Sequence, residues 1–403
     1  AVVRYVGKFL VPFDLAVLYP HPGHWPTRQV VAALVIVVVV SALAAWQFRR
    51  RPWIAVGWCW FLGTLVPVIG IVQVGLQSMA DRYTYLTLLG VQIAGLWTLR
   101  AAVVSPGARR AWAIAGAGVL LACAARTWNQ QGVWRNSFTL FDHALAVTSD
   151  NYLAYNNRGI HLGDAGRVAE AVEDYRRALA IRPDYPEANN NLGRILVQEG
   201  RPAEAVPLLR RSVAAKPTQL EARNNLANAL SDTGALAEAM ELYAFVLARD
   251  PRHVNALTNS AVALAVQGKL PEAQARLEQA LQIKPDDVSA HSNLGNVFAM
   301  QGRRDDAIRH HRRAIALAPA DARLHHNLAN VLAEAGELAE AAASYVRAVA
   351  AAPTNAESRA HLGFTYARLG RREDALRELR AAVAQRPDYA QAKAWLQAVE
   401  QMR

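Results

Sequence analysis

The chain has 403 residues, 53% of them hydrophobic, two cysteines and a formal net charge of +11. Two cysteines exclude a disulfide framework, and a mean hydropathy of +0.04 averages two unlike regions rather than describing one kind of domain. The first 150 residues hold 12 Lys/Arg against 4 Asp/Glu, the remainder 32 against 29; a charge excess confined to one end argues against a polyanion groove, so nucleic acid is not an expected partner.

Residues 1–27 open on Ala1 and have neither the apolar core nor the small-residue cleavage site of a signal peptide. They are expected to form an interfacial or re-entrant segment of a longer polytopic protein. Residues 1–135 as a whole are expected to form a transmembrane region of about four spans. Residues 30–48 are uncharged, and at about 1.5 Å per residue they suffice to cross a hydrocarbon core of about 30 Å. Residues 53–76 and 83–99 read likewise. The run 111–125 is shorter, but Arg109, Arg110 and Arg126 flank it and can snorkel. Pro67 kinks its run, splits it into two half-segments or acts as a hinge. Trp46, Trp53, Trp97 and Trp112 stand near span ends, as an interfacial belt requires.

Arg49, Arg50 and Arg51 join the first two spans, and Arg100, Arg109 and Arg110 join the last two. Both basic loops are therefore expected in the cytoplasm. The loop holding Asp81 and Arg82 then lies outside, and so, after an even number of crossings, does everything beyond residue 135. Cys59 and Cys123 fall inside spans.

The rest of the chain repeats. Prolines 183, 217, 251, 285, 319, 353 and 387 stand 34 residues apart, as do glycines 166, 200, 234, 268, 302, 336 and 370 and alanines 171, 205, 239, 273, 307, 341 and 375. Small residues recur at Gly159, Gly193, Ala227, Ala261, Gly295, Ala329 and Gly363. Each unit reads as two amphipathic helices: Leu192, Ile195 and Leu196 share one face, and Val206, Leu209 and Val213 share another. The glycine supplies a positive φ that ends the first helix, the proline ends the second, and the alanine lets the two approach. This small–Gly–Ala–Pro spacing resembles the tetratricopeptide repeat. The resemblance implies an all-α right-handed superhelix of helix–turn–helix units, seven of them over residues 152–389, whose usual work is holding another polypeptide. Residues 136–151 form a degenerate half repeat, in which Phe141 and Ala144 align with Tyr175 and Ala178 and Ser149 replaces the proline. Residues 390–403 read as a capping helix, with Trp395 and Gln397 at the positions of the lattice Asn and the small residue.

Two residues before each small position stands asparagine: Asn157, Asn191, Asn225, Asn259, Asn293 and Asn327, until His361 breaks the series. In a solenoid these align on the face of the first helices. Six carboxamides in a row offer donors and acceptors to the backbone of an extended or unfolded segment with little regard for its sequence; the competing reading is that they bond to neighbouring helices. The row resembles the asparagine ladder of O-linked N-acetylglucosamine transferases. The preceding position, Asn156, Asn190, Asn224, Thr258, Ser292 and His326, is polar but lacks the lysines of a carboxylate clamp. His310, His311, His325 and His326 approach one another across two repeats, yet adjacent histidines on a helix point apart, so no metal site is expected. No cofactor is expected either.

The runs RYVGKFLVPFDLAVLYPHP, VGWCWFLGTLVPVIGIVQVG and SMADRYTYLTLLG, followed by these repeats, resemble the membrane C-terminal part of GT-C glycosyltransferases. The nearest likeness is to transmembrane and tetratricopeptide repeat O-mannosyltransferases and their bacterial relatives. The likeness is strongest at Ala80-Asp81-Arg82-Tyr83, Tyr85-Leu86 and Gly90, with Thr87 where the family commonly has proline. It implies hexosyl transfer from a polyprenyl-phosphate donor at the outer face of a bacterial inner membrane, with catalytic carboxylates in a first outer loop upstream of this sequence. No catalytic residue is assigned here, since Asp14 lies beside Pro12 in an apolar run. Arg82, with Tyr83 and Tyr85 alongside, is the candidate for the donor phosphate; alternatively Asp81 and Arg82 cap a span at the headgroups. The alternative to the enzyme is a membrane-tethered scaffold that assembles envelope complexes without chemistry.

Overall fold

Long apolar runs become helices because a helix satisfies its own backbone polar groups. In the computed structural model, described for residues 2–10, 15–20, 25–65, 77–79, 84–103 and 105–402, these are α1 (Val2–Leu10), α2 (Thr27–Gln47), α3 (Pro52–Leu65), α4 (Thr84–Ala102) and α5 (Pro106–Val133). Two of them, α2 and α5, are long and apolar enough to cross a membrane. Their apolar surface is not used for packing: α2 buries only Ala44 and α5 buries nothing. The helix α5 starts on Ser105, whose side chain accepts from Ala108 N at 3.2 Å, with Pro106 in the first turn.

Helices α3 and α4 run antiparallel and touch at two glycines. A Cβ on Gly57 would strike the Gly90 carbonyl oxygen, and one on Gly90 would lie 3.0 Å from Trp60. Small residues bring helices together in this way where lipid removes the hydrophobic drive. Indole N–H groups add cross-links: Trp53 donates to Thr98 Oγ1 at 3.1 Å, Trp60 to the Leu86 carbonyl at 3.0 Å, and Trp58 to Ser41 Oγ on α2 at 2.8 Å. The Trp53 and Trp97 rings lie 6.5 Å apart with the Arg100 guanidinium over Trp97.

Among the described residues the fold is all-helical but for one short antiparallel pair, β1 (Tyr19–Pro20) with β2 (Gln77–Met79). Parts of the N-terminal segment pack against later elements. Tyr5 on α1 is fully buried with Phe61 and Leu65. Ala16 packs with Phe141, Ala144 and Ala154, and the carbonyls of Leu15 and Leu18 receive hydrogen bonds from His143 and Asn151 at 3.0 and 3.1 Å. Asp14 and Pro67 lie outside the described residues.

Helix α6 (Ser137–Val147) opens on a reciprocal capping box between Asn136 and Thr139. Helix pairs follow: α7 (Tyr152–Asp164) and α8 (Val168–Ile181), α9 (Pro186–Gln198) and α10 (Pro202–Ala215), α11 (Leu220–Asp232) and α12 (Leu236–Arg249), α13 (Val254–Val266) and α14 (Leu270–Ile283), α15 (Val288–Met300) and α16 (Arg304–Leu317), α17 (Ala322–Ala335) and α18 (Leu338–Ala351), α19 (Ala356–Arg368) and α20 (Arg372–Gln385). The last helix is α21 (Ala390–Gln401). All seven lattice glycines have φ between +74° and +87°. The next N–H bonds back across the turn, Arg167 to Leu162 O at 2.9 Å and Lys269 to Leu264 O at 3.0 Å, which closes a Schellman motif. All seven lattice alanines are fully buried.

The chain divides into two compact units, Ala1–Glu199 with Ala214–Pro217, and Gly200–Val213 with Thr218–Arg403. The second unit is a helical-repeat superhelix. Its core runs along the helix pairs, through Leu257, Leu277, Leu294 and Val331 and then through Leu332, Tyr345, Leu362 and Leu379. It ends on α21, where Trp395 stacks on Phe364 at 4.5 Å and meets His361 edge-on at 5.2 Å.

Candidate functional site

Within the second unit, each second helix packs on the first helices of its own and the following repeat, while successive first helices also touch one another, as α11 and α13, α13 and α15, and α15 and α17 do. The first helices therefore line the inner side of the curve. They carry the asparagine positions, and all six asparagines are half-buried: Asn157 and Asn191 in the first unit, Asn225, Asn259, Asn293 and Asn327 in the second.

The six are not equivalent. Asn191 Nδ2 donates to Asn156 Oδ1 of the preceding repeat at 3.2 Å, and Asn156 Nδ2 donates to Asn157 Oδ1 at 3.3 Å. Asn327 Nδ2 makes the corresponding bond to Ser292 Oγ at 3.4 Å. The equivalent bonds for Asn259 and Asn293 would go to Asn224 and Thr258, and these are not made: Asn224 Oδ1 and Thr258 Oγ1 are buried without a partner. Some rungs of the ladder thus tie repeats together, and Asn259 and Asn293 leave their carboxamides open.

Three and seven residues beyond each asparagine the same helical face continues. On α13 it carries Val262 and Val266, on α15 Asn296 and Met300, and these four side chains are exposed, Val266 by 69% and Met300 by 58%. On α11 and α17 the last position is instead Asp232 and Glu334, both exposed. Desolvation raises the Asp232 carboxyl above its ordinary value.

The position before each asparagine is a buried polar one, from Asn156 through Asn190, Asn224, Thr258 and Ser292; His326 continues it, with Nδ1 2.9 Å from Ser358 Oγ. Two further regularities lie outside the sequence reading. Six residues after a lattice proline, a side-chain nitrogen reaches that proline's carbonyl: Asn189 to Pro183 at 2.9 Å, His291 to Pro285 at 2.9 Å, His325 to Pro319 at 2.8 Å and Arg359 to Pro353 at 3.0 Å. These bonds tie down the turns that follow α8, α14, α16 and α18. Tyr243 and Tyr345 donate to Asn228 and Asn330, one residue past the small position.

The histidines separate as neighbours on a helix do. His310 Nδ1 lies 3.0 Å from His291 Nδ1. His311 is fully buried against Gly295, and burial pushes it down to about 4. Among the described residues no three His, Cys, Asp or Glu side chains stand close enough to hold a metal ion. Arg82 and Tyr83, the candidates for a donor phosphate, lie outside the described residues, and Tyr85 enters α4 one residue after its start.

Buried small residues at each crossing and left-handed glycines at each turn define an α-helical repeat protein of helix–turn–helix units. Tetratricopeptide repeats are present in the chain: tetratricopeptide repeat models match residues 139–186, 156–219, 196–244, 286–354 and 332–398, and a TPR repeat model matches 262–302. No curated protein matches the chain. Among solved structures, TTC0263, a thermophilic TPR protein of Thermus thermophilus, is 26% identical over 45% of this chain and 99% of its own, with a TM-score of 0.43. YrrB, described as a TPR protein with an unusual peptide-binding site, is 25% identical over 46% of this chain and 96% of its own, with a TM-score of 0.37. A tetratricopeptide repeat protein from Parabacteroides merdae ATCC 43184 is 19% identical over 63% of this chain and 100% of its own, with a TM-score of 0.49.

Proposed function

We propose that the chain is a membrane-anchored tetratricopeptide protein whose asparagine face holds extended polypeptide on the extracytoplasmic side of the membrane. The observation that carries this reading is the half-exposed carboxamide at one lattice position of six successive first helices. Isolated asparagine is a poor helix-interior residue, so the repetition calls for a use, and a row of donor–acceptor groups suits a peptide backbone. Support for the anchor comes from α2 and α5, which are long, apolar and largely unburied. The test uses the full chain in detergent micelles and reduced, carboxymethylated α-lactalbumin as an unfolded polypeptide, with the disulfide-intact protein as control. Saturable binding of the unfolded form alone is expected, and equal binding of both forms contradicts the reading.

We further propose that the chain serves as the C-terminal part of a GT-C protein O-glycosyltransferase, presenting acceptor protein to a site that uses a polyprenyl-phosphate sugar. Its support is the run from Ser78 to Gly90 and the two apolar stretches before it. A photoactivatable polyprenyl-phosphate analogue should label this run in native membranes. Polypeptide binding without such labelling would leave a membrane-tethered scaffold.

A further inference from the structure

The asparagine face of the second unit is not uniform along its length. Its two central helices carry no charge on that face: Asn255, Asn259, Val262 and Val266 on α13, and Ser289, Asn293, Asn296 and Met300 on α15. The neighbours on either side bring carboxylates at the corresponding position, Asp232 on α11 and Glu334 on α17. Neither carboxylate has a cationic partner among the described residues, although exposed acids elsewhere in the repeats, such as Glu170, Glu173 and Glu204, are paired with arginine. Val266 and Met300 occupy the same lattice position in adjacent repeats, whose helices touch, so their side chains extend one exposed aliphatic strip. The open carboxamides of Asn259 and Asn293 stand on the same two helices.

From this juxtaposition we infer that α13 and α15 form the affinity-determining subsite, and that it takes an extended segment with aliphatic side chains at its centre and a basic residue toward each end. The inference rests on the polypeptide-binding reading of the asparagine face. The two open carboxamides grip the backbone. Alternate side chains of an extended strand fall on one side, and those facing the strip cover Val262, Val266 and Met300. Asp232 and Glu334 then meet the flanking cations, which orders the ligand along the face and makes association sensitive to salt.

The probe is a fluorescein-labelled Ser/Gly peptide with two leucines at alternate central positions and a lysine near each end, titrated against the full chain in detergent by anisotropy. Replacing the leucines by serine, or the pair Val266→Ser and Met300→Ser, should weaken binding about tenfold. Replacing the lysines by glutamate, or Asp232→Asn with Glu334→Gln, should cost about threefold, and in the second case remove most of the salt dependence. Circular dichroism melting controls for folding; should the serines lower it, Val266→Thr with Met300→Gln retains the fold at these exposed sites.

The inference is overturned if the glutamate peptide binds as tightly as the lysine peptide, or if the strip variants bind the leucine peptide unchanged. Should Asn259→Ala with Asn293→Ala still weaken every peptide in that case, the polypeptide-binding reading survives and only the subsite falls. If those asparagine replacements change nothing while the strip variants weaken binding, the backbone-gripping reading falls instead. A chain that self-associates, and becomes monomeric on Val266→Ser with Met300→Ser, would assign the strip to a second copy and reject the inference.

Discussion

Arg158 on α7 grips Asp174 on α8 with two parallel hydrogen bonds, Nε to Oδ2 at 2.7 Å and Nη2 to Oδ1 at 2.8 Å, and its third nitrogen reaches Asp142 Oδ1 at 2.6 Å. Asp174 is 3% exposed, and the bond to it, aided by Asp142, holds the guanidinium well above its ordinary range. The next two repeats carry leucine at both positions, Leu192 with Leu208 and Leu226 with Leu242. Breaking a buried pair from one side strands the other charge at roughly 3–5 kcal/mol, while replacing both by packed apolar residues is neutral or favourable. Because Arg158 keeps partial solvent access, Arg158→Ala should destabilise by an amount toward the lower end of that range. The double replacement Arg158→Leu and Asp174→Leu should recover most of it. Equilibrium urea unfolding of the three proteins reads both effects, and a double variant no better than the single one contradicts the argument.

His311 supplies a pH dependence of definite sign. Its folded value of about 4 lies below the ordinary 6.5 because burial, and then His310, disfavour the cation. The unfolded chain therefore binds a proton that the folded chain refuses, and stability falls as pH drops from about 6.5 toward 4. At about 1.4 kcal/mol per unit, the loss from this one side chain approaches roughly 3 kcal/mol. His310, His326 and His361 are shifted the same way and add to it. His311→Leu, which restores the residue found at Leu277 and Leu379 in the same position, should flatten the melting temperature against pH over that window. An unchanged slope would mean that the imidazole is protonated in the fold.

Two glycines should respond oppositely to the same substitution. Gly302 sits at φ +77° in the turn between α15 and α16, where a Cβ is strained, so Gly302→Ala should destabilise by about 1–2 kcal/mol. Gly163 lies inside α7 with nothing near a new Cβ, and Gly163→Ala should stabilise by about 0.5–1 kcal/mol. Chemical denaturation of each variant decides it; the same sign at both positions would contradict the assigned conformations.

The periodic part of the fold was legible because lattice glycine, alanine and proline each answer a single steric demand that no other residue meets as well. Chemistry shared by unlike residues was not. Asn189, His291, His325 and Arg359 look unrelated, yet each reaches a proline carbonyl six residues back; aligning the residue six after every lattice proline for donor N–H groups exposes the pattern. The Arg158–Asp174 pair was equally readable as two charges at positions where the following repeats carry leucine. What no period reveals is which carboxamides are already spent: Asn191 and Asn327 bond to the preceding repeat, and Asn259 and Asn293 do not. The docking of residues 15–19 on α6 and α7 joins parts too distant in sequence for a local pattern to show it.

We propose from the basic loops that the repeats lie outside the cytoplasm, which impermeant labelling can test. Gly268 is unsuitable for cysteine because of its φ of +76°, but Lys269 beside it is exposed. In a chain with Cys59 and Cys123 replaced by alanine, Lys269→Cys should react with an impermeant maleimide in intact spheroplasts. Reaction only after lysis would put the repeats in the cytoplasm.

The asparagine face is tested most directly by measuring affinity and stability together in two double variants. Asn259→Ala with Asn293→Ala removes the open carboxamides; at about 1 kcal/mol net per hydrogen bond, binding of reduced, carboxymethylated α-lactalbumin should weaken roughly thirtyfold or more, with the melting temperature unchanged or slightly raised. Asn191→Ala with Asn327→Ala removes the inter-repeat bonds instead, and should lower the melting temperature with little change in affinity. Unchanged affinity in the first variant, with lower stability, would show that the row serves the fold and not a ligand.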